Sequence, residues 1–104
     1  IIKINKIMNC SGQIEIKCNQ CSHINQIQCS VFKNWNKVSS ESSASGTEDI
    51  LEDQIDINCI NCNSKISIKT SVFTNSSIPG QEADDFSIAC DGGTVISKNC
   101  SCIS

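Results

Sequence analysis

Cys18 and Cys21 enclose two residues, and so do Cys59 and Cys62. Thiolates ligate zinc and other soft metals, and they are also the nucleophiles of redox enzymes. One Cys-x-x-Cys turn aims two sulfurs at a point. Two such turns face to face supply four, the number a tetrahedral zinc ion takes. Three chemistries are open to these residues: a shared zinc, disulfides, or thioredoxin-like exchange. The last needs a βαβ setting with a helix N-terminus to lower a thiol pKa. No eleven-residue window of this chain carries a good helical stripe.

The surroundings of the two motifs are nearly the same. IEIKCNQCSHINQIQCSVF (14–32) and IDINCINCNSKISIKTSVF (55–73) agree without a gap at eight of nineteen positions. Each copy reads as strand, Cys-x-x-Cys, strand. Two similar turns closing on one ion would explain the duplication, which favours zinc over disulfides for Cys18, Cys21, Cys59 and Cys62.

The repeat also serves as a control on neighbouring residues. His23 follows Cys21 closely, but the second copy has Ser64 there, so a surface histidine is expected. Cys29 matches Thr70 and alternates with Ile27 and Val31, so a buried small hydrophobe is expected rather than a ligand. Cys90 is expected in the core beside Phe86 and Ile88. Cys100 and Cys102 are open to a disulfide with Cys10 or to a second metal site. Acidic clusters at 48–56 and 82–85 read as solvated faces. Trp35, the only Trp, lies between Lys33 and Lys37. It is a candidate partner contact or single-strand stacking platform, or else a cover for the end of a sheet.

The elements that must position these groups are strands. Ile14, Ile16 and Cys18 share one face of a period-two pattern, as do Ile27, Cys29 and Val31. The same holds for Ile55, Ile57 and Cys59, for Ile66, Ile68, Thr70 and Val72, and for Phe86, Ile88 and Cys90. Alternating β-branched residues mark half-buried strands. Ile2 and Ile4 alternate at the start of the chain. The Ser-rich stretch 38–49 is expected to be a mobile loop, with one short helical turn around 48–52. The segment 76–85 holds the only Pro and is expected to be a second loop. Asp91 to Gly93 reads as a hairpin turn.

Bulk composition narrows the classes. The chain has 104 residues, enough for one domain (1–104) with a modest core. Aromatics are only 4%, so the core must be aliphatic and a cross-link or metal is expected to assist it. The net charge is −3, and every basic residue is Lys. Without Arg or a positive balance, nucleic-acid binding is not expected as the main role. No apolar run approaches the roughly 18 residues of a membrane helix. The chain opens on Ile1, as expected of a fragment, a processed product or an excised domain. Nine cysteines approach the density of a secreted disulfide scaffold, but paired Cys-x-x-Cys units suit a reducing compartment. Sequons at Asn9, Asn75 and Asn99 weigh little.

The motifs resemble a zinc ribbon over roughly 14–73. The run CINC, ISIKTSVF, SIPGQ and FSIACDGG is similar to the layout of small bacterial zinc-ribbon domains. The cysteine spacing is also similar to that of eukaryotic CXXC-motif zinc-binding proteins. Both resemblances imply an all-β module of small antiparallel sheets with a structural zinc, and neither implies a reaction. The chain departs from the pattern at Ser22 and Asn63, where Gly often follows the second Cys, and in its five further cysteines. The expected function is a zinc-stabilised, non-catalytic interaction module with a protein partner, cytoplasmic and accessory to a larger bacterial assembly. The alternative is a secreted or cell-surface disulfide-stapled protein: a signalling factor, a toxin-like module or a surface-filament subunit.

Overall fold

Alternating isoleucines become strands throughout. The computed structural model describes residues 5–43, 46–75 and 84–103. They form β1 (Asn5–Ile7), β2 (Asn9–Cys18), β3 (Ile24–Gln28), β4 (Asn34–Ser43), β5 (Gly46–Asn58), β6 (Lys65–Asn75), β7 (Asp84–Asp91) and β8 (Gly93–Ile103). A 3-10 turn, Cys29–Val31, follows β3. Every pairing is antiparallel, in two sheets: five strands in the order β1-β4-β5-β6-β7, and three in the order β3-β2-β8. No helix among the described residues is long and apolar enough to cross a membrane.

The two repeat copies lie in different sheets. Copy one is the β2–β3 hairpin, paired from Gln13↔Gln28 to Lys17↔Ile24. Copy two is the β5–β6 hairpin of the larger sheet. Their inward faces share one core. Ile14 and Ile16 of β2 are fully buried with Leu51 of β5 and Ile66, Ile68 and Val72 of β6. The face pattern expected for Ile14, Ile16 and Cys18 holds, since all three are solvent-inaccessible. Ile55 and Ile57, like Phe86, Ile88 and Cys90, are half-buried.

The copies part company after Cys29 and Thr70. β6 continues as strand, so Val72 points in and Phe73 is exposed. Copy one breaks into its 3-10 turn. That rotates the same Ser-Val-Phe sequence, so Phe32 is buried and Val31 is 42% exposed. Val31 therefore does not share the inner face of Ile27 and Cys29. The turn also delivers Trp35 inward, which corrects its reading as a partner contact or stacking platform. Its indole is fully buried. Nε1 donates to Phe32 O at 3.1 Å, and the ring packs against Phe32 and Phe86 with centroids 6.3 and 6.4 Å away. Lys33 and Lys37 are exposed beside it. Asp53 on β5 bonds the backbone N–H groups of Asn34 and Lys33 as well as that of Gln54; burial nevertheless pushes its carboxyl above the usual range.

Three other expectations are corrected. The described part of the Ser-rich stretch, 38–43 and 46–49, is strand and not loop: β4 and β5 pair from Asn36↔Glu52 to Ser43↔Gly46. The residues around 48–52, expected as a helical turn, are extended within β5. Apolar alternation is absent there because Asp49 and Asp53, which have low strand preference, occupy inward positions beside Leu51. Inward Asp49 is buried and accepts the Ser40 hydroxyl proton at 2.8 Å. Cys29 is buried, but it is bonded to Cys100 rather than packing as a free thiol. Cys10 joins Cys102, its register partner across β2 and β8. The Asp91 to Gly93 turn is present, with Gly92 at φ 87°. Ile2, Ile4 and residues 76–83 lie outside the described residues.

Candidate metal centre

Each Cys-x-x-Cys is the turn of its hairpin, and the two turns are built by equivalent bonds. In the first, Cys18 N donates to His23 O at 2.9 Å and Ser22 N to Cys18 O at 2.9 Å. In the second, Cys59 N donates to Ser64 O and Asn63 N to Cys59 O, both at 2.8 Å. The residue after each second cysteine is left-handed, Ser22 at φ 65° and Asn63 at φ 64°. Glycine adopts that conformation most easily and Asn tolerates it, so Ser22 is the more strained of the two.

Facing each other across the sheets, the turns bring the Sγ atoms of Cys18, Cys21, Cys59 and Cys62 within 4.8 Å of one another. The contacts are crossed. Cys18 Sγ lies 3.6 Å from Cys62 Sγ, and Cys21 Sγ lies 3.6 Å from Cys59 Sγ. Exchanging the two copies turns one pair into the other, so the cluster has a local two-fold. A disulfide needs sulfurs about 2.05 Å apart. A tetrahedron with metal–sulfur bonds of about 2.3 Å has edges of about 3.8 Å. The observed separations suit the second arrangement, and the cluster can hold a metal ion.

The surroundings favour thiolates at Cys59 and Cys62. Cys18 and Cys59 are buried, Cys21 is half-buried and Cys62 is exposed. Gln20 N approaches Cys18 Sγ at 3.4 Å. Asn25 Nδ2 donates to Cys59 Sγ at 3.5 Å, while Asn25 Oδ1 accepts Ile60 N at 3.0 Å. That side chain therefore clamps the second turn from the first hairpin. The Asn25 bond is the main reason the Cys59 thiol is lowered to about 6, helped by the Cys62 backbone. Ser64 Oγ, 3.1 Å from Cys62 Sγ, lowers Cys62. At Cys18 the Cys21 backbone N–H pulls downward, but burial and the bonds with Cys62 and Cys59 outweigh it, pushing the thiol to about 11. The Cys18 thiol is thus raised while those of Cys59 and Cys62, in the second turn, are lowered.

Among the described residues, this is the only group of three or more Cys, His, Asp or Glu side chains close enough to hold a metal. His23 is exposed and serves the turn through its carbonyl, which accepts from Cys18 N and from Asn25 Nδ2 at 3.3 Å. The acidic residues of β5 do other work: Glu52 pairs with Lys69 at 3.1 Å and Asp56 with Lys65 at 3.4 Å. Asn25 is the functional residue that motif reading misses. Its counterpart in the second copy is Ile66, so a buried polar residue facing an isoleucine was the available signal. Compared with protein-family models, curated proteins and solved structures, the chain finds no match.

Proposed function

We propose that the four thiols form a structural zinc centre and that the chain is a non-catalytic interaction module of zinc-ribbon type. The crossed, two-fold sulfur cluster carries this reading. Zinc has no electronic preference against a regular tetrahedron, and a four-thiolate set leaves no position for water or substrate. Cys18, Cys21, Cys59 and Cys62 would hold the ion, and the ion would supply a cross-link between the sheets. The partner of such a module is a protein, met by the exposed strand surfaces. Native mass spectrometry tests the centre. One zinc mass should be present natively and absent in denaturing buffer, with the denatured chain four hydrogens lighter than the fully reduced one. A chain with no metal in the native spectrum overturns the zinc reading, and one lacking eight hydrogens has disulfides where this reading puts zinc.

Asn25→Leu should weaken zinc binding by about 10–100-fold, as loss of an outer-shell partner does. Competition with a chromogenic chelator measures this. Unchanged affinity would leave Asn25 with a packing role alone.

A second reading concerns the compartment. Cys10–Cys102 and Cys29–Cys100 support the secreted or cell-surface alternative over a cytoplasmic one, because disulfides persist where the surroundings are oxidising. Zinc and disulfides are compatible in one chain when the metal holds its own thiolates.

A further inference from the structure

Two kinds of cross-link hold different parts of this molecule. Both disulfides serve the three-stranded sheet: Cys10–Cys102 ties β2 to β8, and Cys29–Cys100 ties the turn after β3 to β8. The thiol cluster is the joint between the sheets. Cys18 and Cys21 come from the β2–β3 turn, and Cys59 and Cys62 from the β5–β6 turn. The sulfur contacts found there, 18 to 62 and 21 to 59, both cross the joint.

We propose that peroxide converts this joint into two crossed disulfides, Cys18–Cys62 and Cys21–Cys59, so that the sheets stay fastened when the metal leaves. The inference rests on the metal-centre reading above and adds a chemical response to it. Cys62 is the exposed sulfur, so it meets the oxidant first. Its thiolate attacks one oxygen of hydrogen peroxide. The O–O bond breaks, hydroxide leaves and is protonated to water, and Cys62 becomes a sulfenic acid. The Cys18 sulfur, 3.6 Å away and shielded from solvent, then attacks the Cys62 sulfur. The S–O bond breaks, a second hydroxide leaves as water, and the S–S bond forms. Two thiolates, one peroxide and two protons give one disulfide and two waters. A second peroxide closes Cys21 with Cys59 in the same way, as the local two-fold requires. Each pair must close by about 1.5 Å to reach disulfide length. Bonds within each Cys-x-x-Cys would instead leave the sheets unlinked.

The test uses the whole chain, zinc-loaded, treated with hydrogen peroxide, alkylated and digested after lysine without reduction. Cleavage at Lys17, Lys33, Lys37 and Lys65 puts Cys18 and Cys21 on one peptide and Cys59 and Cys62 on another. Crossed bonds join those peptides, and two equivalents of peroxide release the zinc. The Cys18→Ser chain should leave Cys62 as an unresolved sulfenic acid, trapped by dimedone, while Cys21 still couples to Cys59. Separate peptides with internal disulfides, or four thiols that remain alkylatable in excess peroxide, overturn the proposal. The native spectrum taken before oxidation judges the metal independently. Crossed links without zinc defeat the zinc reading alone, and zinc with internal links defeats the crossing alone.

Discussion

Chelating the proposed zinc from the non-reduced chain, under argon so that freed thiols stay reduced, should part the sheets at their turn end. The three-stranded sheet should survive it. Four thiols then crowd an inter-sheet joint with nothing to bind them, and the lowered pKa values of Cys59 and Cys62 favour negative charge on the same turn. Structural zinc in finger peptides contributes an apparent ~10–16 kcal/mol. Here the sheets share an apolar core as well, so only part of that is at stake. Even a third of it lowers Tm by about 13 °C or more, at about 4–8 °C per kcal/mol for a small domain. Hydrogen exchange should show lost protection at residues 58–66 and retained protection along β2 and β8, where Cys10–Cys102 still holds. Unchanged Tm and exchange after complete metal removal would reduce the cluster to an incidental meeting of thiols.

Trp35→Ala should destabilise the chain by about 3–5 kcal/mol, the usual range for deleting a buried large aromatic. The indole is fully buried between Phe32 and Phe86. Its removal also takes the N–H from Phe32 O, leaving a carbonyl without its donor. With aromatics at 4% of the residues, no other ring can fill the gap. Trp35→Phe should cost less, because it restores most of the volume and loses only the hydrogen bond. Urea unfolding followed by circular dichroism measures both. A near-neutral Trp35→Ala would mean that the indole faces solvent after all, and would revive it as a partner contact.

These two effects also mark what could be read from the residues. The strands around both motifs were legible because isoleucine alternates there with polar side chains. The gathering of Cys18, Cys21, Cys59 and Cys62 was legible because the chain repeats itself. Trp35 stayed open between a partner contact and a cover for the sheet because its flanks, Lys33, Asn34, Asn36 and Lys37, are polar, and the rotation that buries it is made by a three-residue turn with no sequence signal of its own. β4 and the start of β5 were hidden by serines whose strand conformation comes from pairing rather than propensity. Disulfide partners could not be deduced from spacing. Cys10 meets Cys102 only because β2 and β8 run side by side. Four cysteines in disulfides and four in the cluster leave Cys90 over, which accounts for the odd count. Partial burial raises its thiol pKa.

The Cys10–Cys102 bridge has a mechanical consequence. It spans 92 positions of the chain, so nearly all of the fold hangs from it as a closed loop. A pull applied through residues on either side of that loop runs from Cys10 to Cys102 across one covalent bond. β1, three residues outside the bridge, can be peeled from β4. Apart from that edge strand, the larger sheet and the thiol cluster lie inside the loop and are shielded from the tension.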